Sequence, residues 1–307
     1  MIRIGIIGTE NSHAIAFSKI INLSLSGAGE RLYKDLKVVG VYGPDQASAK
    51  EVAKICGAEF IADSPEDFFG RVDAMMITSR KGSVHTGYAL PFIERGIPLF
   101  IDKPITSDPE ETRDLLERAE ALHVKVLGGS GCKMIDDIKA VSAAAEASIK
   151  ANTFFAAVMS YSADLDSVYD GFYFYASHLV EMALCVFGYE VRCVRAVKNG
   201  SNVTALLRYD GYDITLLFAA EFNTPCCLLS TKEGYHYQLI DLSRLYEREV
   251  EWFAEMLRTG KMPFTYEQLA KPISVIDAII KSLHTDAEIN VCSKKGEDRD
   301  VYMENLD

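Results

Sequence analysis

Two positions in this 307-residue sequence carry side chains able to move a proton, in surroundings that can tune them. Lys103 follows the apolar run and acid Leu99-Phe100-Ile101-Asp102 and precedes Pro104, while His178 precedes a helical face made by Leu179, Met182, Ala183 and Val186. A group of tuned pKa within hydrogen-bond reach of a bound molecule can take its proton or return it. A lysine supplies, in addition, positive charge for a developing oxyanion. A third position is the stretch Gly8-Thr9-Glu10-Asn11-Ser12-His13. There an apolar strand, a glycine and a helix follow one another as they do where a dinucleotide binds. Glu10, however, sits where a pyrophosphate needs bare backbone. Two unit charges ~4 Å apart at an effective dielectric of 20 repel by about 4 kcal/mol, so Glu10 must face away or weaken the site.

The elements that must hold these groups divide the chain in two. Through residue 128 short buried strands (Ile2 to Ile7, Lys37 to Tyr42, Ala74 to Ile77, Leu99 to Ile101, Val124 to Leu127) alternate with helices (His13 to about Leu25, Ser48 to Cys56, His85 to Arg95, Pro109 to Leu122). Strict alternation predicts a parallel, doubly wound sheet. After the glycine cluster at Gly128 to Gly131 comes a helix over Ile135 to Lys150 and then a run of strands. In these, Val203 to Tyr209 meets Tyr212 to Phe218 across Asp210-Gly211, a two-residue hairpin signal. Two helices, Arg244 to Thr259 and about Leu269 to His284, follow. The expected fold is α/β: a Rossmann domain over 1–128 and an α+β domain with a largely antiparallel open sheet over 129–307.

Bulk properties narrow the function. The formal charge of -12, from 32 basic and 44 acidic residues, gives nucleic acid no electrostatic footing and leaves a small molecule as the partner. The seven cysteines contain no C-x-x-C pair and the six histidines no H-E-x-x-H, so neither a disulfide framework nor a metal is expected. No apolar run reaches the ~20 residues of a membrane span, and polarity after Gly8 comes too early for a signal-peptide core; a cytoplasmic protein without membrane contact is expected.

At Ile101-Asp102-Lys103-Pro104 the chain resembles the glucose-fructose oxidoreductase, inositol dehydrogenase and rhizopine-catabolism (Gfo/Idh/MocA) family. Gly96 to Pro104 is similar to that family's "aGkhVlcEKP", Ser177-His178-Leu179-Val180-Glu181 to "GxHxxD", and Trp252 to Gly260 with Pro263 to its closing helix and loop. The resemblance implies an NAD(P)-dependent oxidoreductase moving hydride between nicotinamide and a sugar, polyol or related hydroxy compound, with Lys103 and His178 catalytic and facing each other. It implies NAD or NADP held by Gly8, Thr9, Asn11, Ser12, Gly43, Asp45, Thr78, Ser79, Arg80, His85, Asp102 and Lys103. Substrate would meet Lys103, Tyr161, Asp164, Tyr175 and His178, and a homodimer or homotetramer would form through the open sheet.

The chain departs from that pattern in four places. The family's aspartate four residues before the histidine is Phe174, leaving acid-base work to Lys103 and His178, with Tyr173 or Tyr175 beside them. The acid that should end the second strand and grip the adenosine ribose is replaced by Gly43-Pro44-Asp45: either Asp45 bends back, or the ribose carries a 2′-phosphate. Arg80 and Lys81 add positive charge after the fourth strand, which also admits an amino, keto or phosphorylated substrate. In the opening loop a three-residue shortening aligns His13 with the family's helix histidine, puts Ala14, Phe17 and Ile20 on one face and makes Asn11 or Ser12 the N-cap. Together Phe174, Glu10 and Gly43 define an alternative: a non-catalytic or weakly active ligand-binding homologue of the same fold.

Overall fold

The computed structural model of the chain describes residues 1–23, 31–221 and 223–291; Cys292 and the last residues expected in the first helix lie outside these. By their contacts the described residues form two compact units, one within 1–135, 168–170 and 242–270, the other within 136–167, 171–241 and 271–291.

The first unit opens with β1 (Ile2–Ile7), α1 (Ser12–Asn22), β2 (Leu36–Tyr42), α2 (Gln46–Cys56) and β3 (Phe60–Ile61). It continues with β4 (Ala74–Ile77), α3 (His85–Ile93), β5 (Leu99–Ile101), α4 (Pro109–Ala121) and β6 (Val126–Gly128). The strands pair in parallel in the order β3-β2-β1-β4-β5-β6. Because β2 and β4 leave β1 in opposite directions, the order reverses between β1 and β4, the crevice where open α/β sheets take ligands. The central strands β4 and β5 are apolar along their whole length, as burial on both faces requires, and every one of their residues is buried, while β1 and β2 each carry one basic residue near their start, Arg3 and Lys37. The helices start and stop where local chemistry dictates. Asp108 accepts the Glu111 amide and Pro109 stands at the first helical position of α4, and Gly96 follows α3 with φ +73°.

The second unit holds α5 (Asp136–Lys150), β7 (Phe154–Ser162), α6 (Tyr173–Phe187), β8 (Cys193–Asn199), β9 (Asn202–Arg208), β10 (Asp213–Ala219), β11 (Cys226–Thr231) and β12 (Gly234–Leu239). The chain then returns with α7 (Leu245–Thr259) to the first unit. It ends its described part in α8 (Tyr266–Thr285) and the two-residue β13 (Ile289–Asn290). The second sheet runs β12-β11-β7-β10-β9-β8-β13. It is antiparallel except for β7 and β10, which pair in parallel. The β9–β10 hairpin closes with Tyr209 N–H on the Tyr212 carbonyl, 3.0 Å, and Gly211 at φ +90°, the backbone a two-residue turn demands. Helices α5 and α6 cover one face of this sheet. The inward residues Met159, Leu216 and Leu229 are buried there, while Leu217, Tyr237 and Leu239 on the other face are exposed.

Helix α7 is amphipathic, and Val250, Phe253, Ala254 and Met256 join the core of the first unit with Phe17 and Phe100. Sequence distance therefore does not decide which core a helix joins; its apolar stripe does.

Candidate active site

The turn after β1 is shaped by Gly8. Its φ is +109°, and a Cβ placed on it would lie 2.2 Å from the Ser79 backbone nitrogen at the end of β4, so only glycine lets β1 and β4 approach there. Asn11 is the N-cap of α1, accepting the His13 amide at 3.3 Å while its Nδ2 donates to the Thr78 carbonyl at 2.9 Å. Ser12 is exposed on the first turn, and Ala14, Phe17 and Ile20 are buried. Thr78 Oγ1 donates toward the Ile7 and Gly8 carbonyls. Ser79 Oγ is buried and has no hydrogen-bond partner. An unpartnered buried hydroxyl beside a glycine at the strand-order reversal fits a polar ligand group there. One carboxylate oxygen of Glu10 is likewise buried without a partner. With burial and Tyr42, Glu10 raises the Tyr88 phenol above its ordinary value, which places its charge toward α3.

Lys103 stands just past β5 and is 5% exposed, next to an Asp102 that is wholly buried. Two donors reach the Asp102 carboxylate, the Lys103 amide at 2.8 Å on Oδ1 and Asn11 Nδ2 at 3.4 Å, and His13 Nδ1 lies 2.6 Å from Oδ2. Burial alone would raise Asp102; His13, then Lys103, reverse this and hold the carboxyl below its usual range. His13 is packed edge-on against Phe17 and against Tyr246 of α7. Burial pushes the Lys103 ammonium down to about 8, against the opposing pull of Asp102, Cys132 and Glu249 and with a further lowering from Arg80. A lysine so tuned exchanges its proton near neutral pH.

Two of these neighbours, Cys132 and Glu249, were not legible as site residues. Cys132 and Lys133 lie in the 3₁₀ turn Gly131–Met134, where Lys133 Nζ donates to the Gly128 carbonyl at 2.9 Å and lies 4.4 Å from the Phe264 ring. Glu249, 1% exposed on α7, lies against Gly131: a Cβ there would come 2.4 Å from its carboxyl group. Only the glycine at 131 hinted at such a close approach.

Several expected cofactor contacts have other partners. Both ring nitrogens of the buried His85 face backbone carbonyls, Nδ1 that of Pro104 at 2.9 Å and Nε2 that of Ser79 at 2.8 Å, so it braces the loops after β4 and β5 instead of reaching a ligand. Arg80 Nη1 donates to the Tyr169 hydroxyl at 2.9 Å, and Asp170 accepts the Ser83 amide and hydroxyl. Its charge is thus tethered, because residues 168–170 pack with the first unit. Asp45 does not bend back: its two oxygens accept the Ala47 and Ser48 amides at 3.0 Å as the N-cap of α2. A Cβ on Gly43 would lie 2.0 Å from Thr9 Oγ1, which itself is 2.9 Å from Ser48 Oγ.

In the second unit His178 is buried on α6, with the Tyr175 and Tyr161 rings edge-on at 5.3 and 5.9 Å. Phe174 packs edge-on against Tyr175, with ring centroids 5.3 Å apart. Tyr173 donates to Asp277 at 3.4 Å. Ser162 Oγ, at the end of β7, is buried without a partner, and Asp164 closes an exposed turn by accepting the Asp166 amide at 3.0 Å. The structure therefore gathers His178, Tyr161 and Tyr175 and leaves Asp164 outside that group. Among the described residues no set of three His, Cys, Asp or Glu could hold a metal, and no helix is long and apolar enough to cross a membrane.

Residues 2–130 match the GFO_IDH_MocA family, described as an oxidoreductase family with an NAD-binding Rossmann fold. No curated protein matches the chain by sequence. Among solved structures it is similar to a myo-inositol dehydrogenase from Corynebacterium glutamicum (20% identity, 95% of this chain and 99% of that one, TM-score 0.77). It is also similar to a scyllo-inositol dehydrogenase from Lactobacillus casei with bound NAD(H) and scyllo-inositol (14%, 95% and 99%, 0.78). A third is an oxidoreductase from Agrobacterium radiobacter in complex with NAD+, L-tartaric acid and magnesium (13%, 94% and 98%, 0.75). At these identities the likeness is one of fold.

Proposed function

We propose, from the premise that residues 2–130 belong to the GFO_IDH_MocA oxidoreductase family with its NAD-binding Rossmann fold, that this chain is an NAD(P)-dependent dehydrogenase of a small polyol or cyclic polyol. The observation that carries the reading is Lys103: a lysine at the carboxyl end of β5, almost fully buried, brought to about 8 and fixed through its amide by Asp102.

Nicotinamide, when bound, accepts or returns the hydride; the protein's part is to bind, orient and handle the proton. Gly8 allows close backbone approach at the β1–β4 crevice, and the Ser79 hydroxyl offers an unused polar contact there. Neutral Lys103 Nζ takes the proton of the reacting hydroxyl during oxidation and, charged, returns it during reduction. As an ammonium it also stabilises the alkoxide-like oxygen in the transition state. Asp102, held by His13 and Asn11, keeps Lys103 in place. In the second unit His178 with Tyr161 and Tyr175 forms a polar-tipped aromatic group suited to a hydroxylated ring, whose C–H faces pack on aromatic rings while its hydroxyls find hydrogen-bond partners. Inositols, after which two of the similar enzymes are named and one of which is bound in the second, are the first substrates to try. The apolar face of the second sheet, with exposed Leu217, Tyr237 and Leu239, supports self-association.

The test is a NADH fluorescence titration followed by turnover of NAD+ or NADP+ with myo- and scyllo-inositol and a panel of other polyols, in the native chain and in Lys103→Met. Turnover lost in the variant with coenzyme binding retained supports the reading. Turnover unchanged in the variant removes Lys103 from the mechanism, and coenzyme binding with no hydride transfer from any polyol favours the ligand-binding alternative.

A further inference from the structure

The end of β2 decides how a Rossmann domain treats the adenosine ribose: an acid there accepts from the 2′-hydroxyl and repels a 2′-phosphate. In this chain the residue after β2 is a glycine, and a side chain there would meet Thr9 where it now stands. A Cβ on Gly43 would be 2.0 Å from Thr9 Oγ1 and 3.2 Å from the Thr9 nitrogen. The space an acid would fill holds the Thr9 hydroxyl instead.

The hydrogen bonds fix what that hydroxyl can do. Ser48 Oγ donates its one proton to the Asp45 carbonyl at 2.8 Å. In the 2.9 Å contact between Thr9 Oγ1 and Ser48 Oγ, Thr9 must then be the donor. What remains on Thr9 Oγ1 is lone pairs, which suit a hydroxyl that donates and not a phosphate, which accepts. Asp45 adds a fixed charge one turn away. Its carboxylate accepts the Ala47 and Ser48 amides, and these bonds hold it below the usual carboxylate range. It is therefore anionic at neutral pH, and it takes up the first amides of α2, which a phosphate would otherwise use.

We propose that this chain discriminates for NAD(H) against NADP(H), and that the acid at the end of the second strand has been replaced by a split device: the Thr9–Ser48 hydroxyl pair accepts the ribose hydroxyl, and the capping carboxylate of Asp45 repels a 2′-phosphate. The inference rests on the reading of the first unit as a nicotinamide-dinucleotide site. It assigns specificity to three residues outside the strand end itself.

NADH and NADPH fluorescence titrations on the whole chain test it without needing the substrate. The native protein is expected to bind NADH at least about tenfold more tightly than NADPH at low salt, with the ratio falling as salt screens the charge. Asp45→Asn keeps an equally good N-cap, so its thermal melt and helix content hold while the ratio narrows about tenfold through tighter NADPH binding. Equal binding of both coenzymes by the native chain overturns the inference. So does a preference for NADPH, or a ratio untouched by Asp45→Asn. Binding of neither coenzyme overturns the dinucleotide reading and this inference with it, an outcome plainly distinct from binding without discrimination.

Discussion

His13 Nδ1 lies 2.6 Å from Asp102 Oδ2, which ties the first turn of α1 to the end of β5 across the end of β4. Removing the imidazole leaves a wholly buried carboxylate with the Lys103 amide and Asn11 as its donors. His13→Ala is expected to destabilise the chain by about 3 kcal/mol, the scale for taking one partner from a buried charge, read by urea denaturation. His13→Asn, which keeps an N–H near the Nδ1 position, should recover part of that loss. The folded-state pKa of Asp102 is lowered. The stabilisation it contributes is therefore complete above the unfolded value of about 4 and is lost as pH falls through that value and below. If His13→Ala and the native chain unfold at the same urea concentration at pH 7, the pair contributes nothing.

Lys103 titrates near 8, so dehydrogenation, which needs the neutral amine, should rise with pH and level off above about 8, and reduction should fall over the same range. Between about 8 and the unfolded value near 10.4 the unfolded chain binds the extra proton, so stability rises with pH there. Below 8 the buried ammonium is a cost. Lys103→Met should therefore raise stability at pH 7 by about 2 kcal/mol while abolishing turnover. A melt that moves down in the variant contradicts this.

Glu249 raises Lys103 from a helix far along the sequence. Glu249→Gln should shift the Lys103 titration below 8, and Glu249→Asp should keep it close to the native value. The titration can be followed by NMR of ¹³C-methylated lysines, with the Lys103 resonance identified by its absence in Lys103→Met. An unmoved resonance in Glu249→Gln reduces Glu249 to a structural partner of the Gly131 turn.

Gly43→Ala brings a Cβ against Thr9 Oγ1, and overpacking of this kind costs about 1 to 3 kcal/mol. Thr9→Ala in the same chain removes the clashing oxygen, so the double variant should be more stable than Gly43→Ala alone by at least about 1 kcal/mol. A thermal-melt cycle checks it, and strict additivity of the two substitutions rules the contact out.

Much of the fold is legible from periodicity and punctuation. The short, largely apolar strands, the Asp108-Pro109 start of α4 and the Asp210-Gly211 hairpin are local signals, and they stand where those signals put them. The placement of side chains at the site is another matter. The sequence offered Asp45 as a ribose ligand and Arg80 as a cofactor contact; the structure gives the first to the amides of α2 and the second to Tyr169. His85 could be read as a ligand because nothing nearby in the sequence shows that the Pro104 and Ser79 carbonyls will face its ring.

What the sequence by itself determined is therefore what depends on neighbours along the chain: strand and helix types, caps, turns, and the pairing of an acid, a lysine and a proline at a strand end. Tertiary structure alone decided which groups meet Lys103 and what state they leave it in. Burial, which lowers its pKa, is a property of the folded core, and the charges that oppose burial come from Asp102 beside it, from Cys132 after β6 and from Glu249 on α7. Coulombic and hydrogen-bond energies fall with distance in space and take no account of distance in sequence. A lysine's surroundings are thus set only once α7 has folded back onto the first unit and placed Glu249 against Gly131.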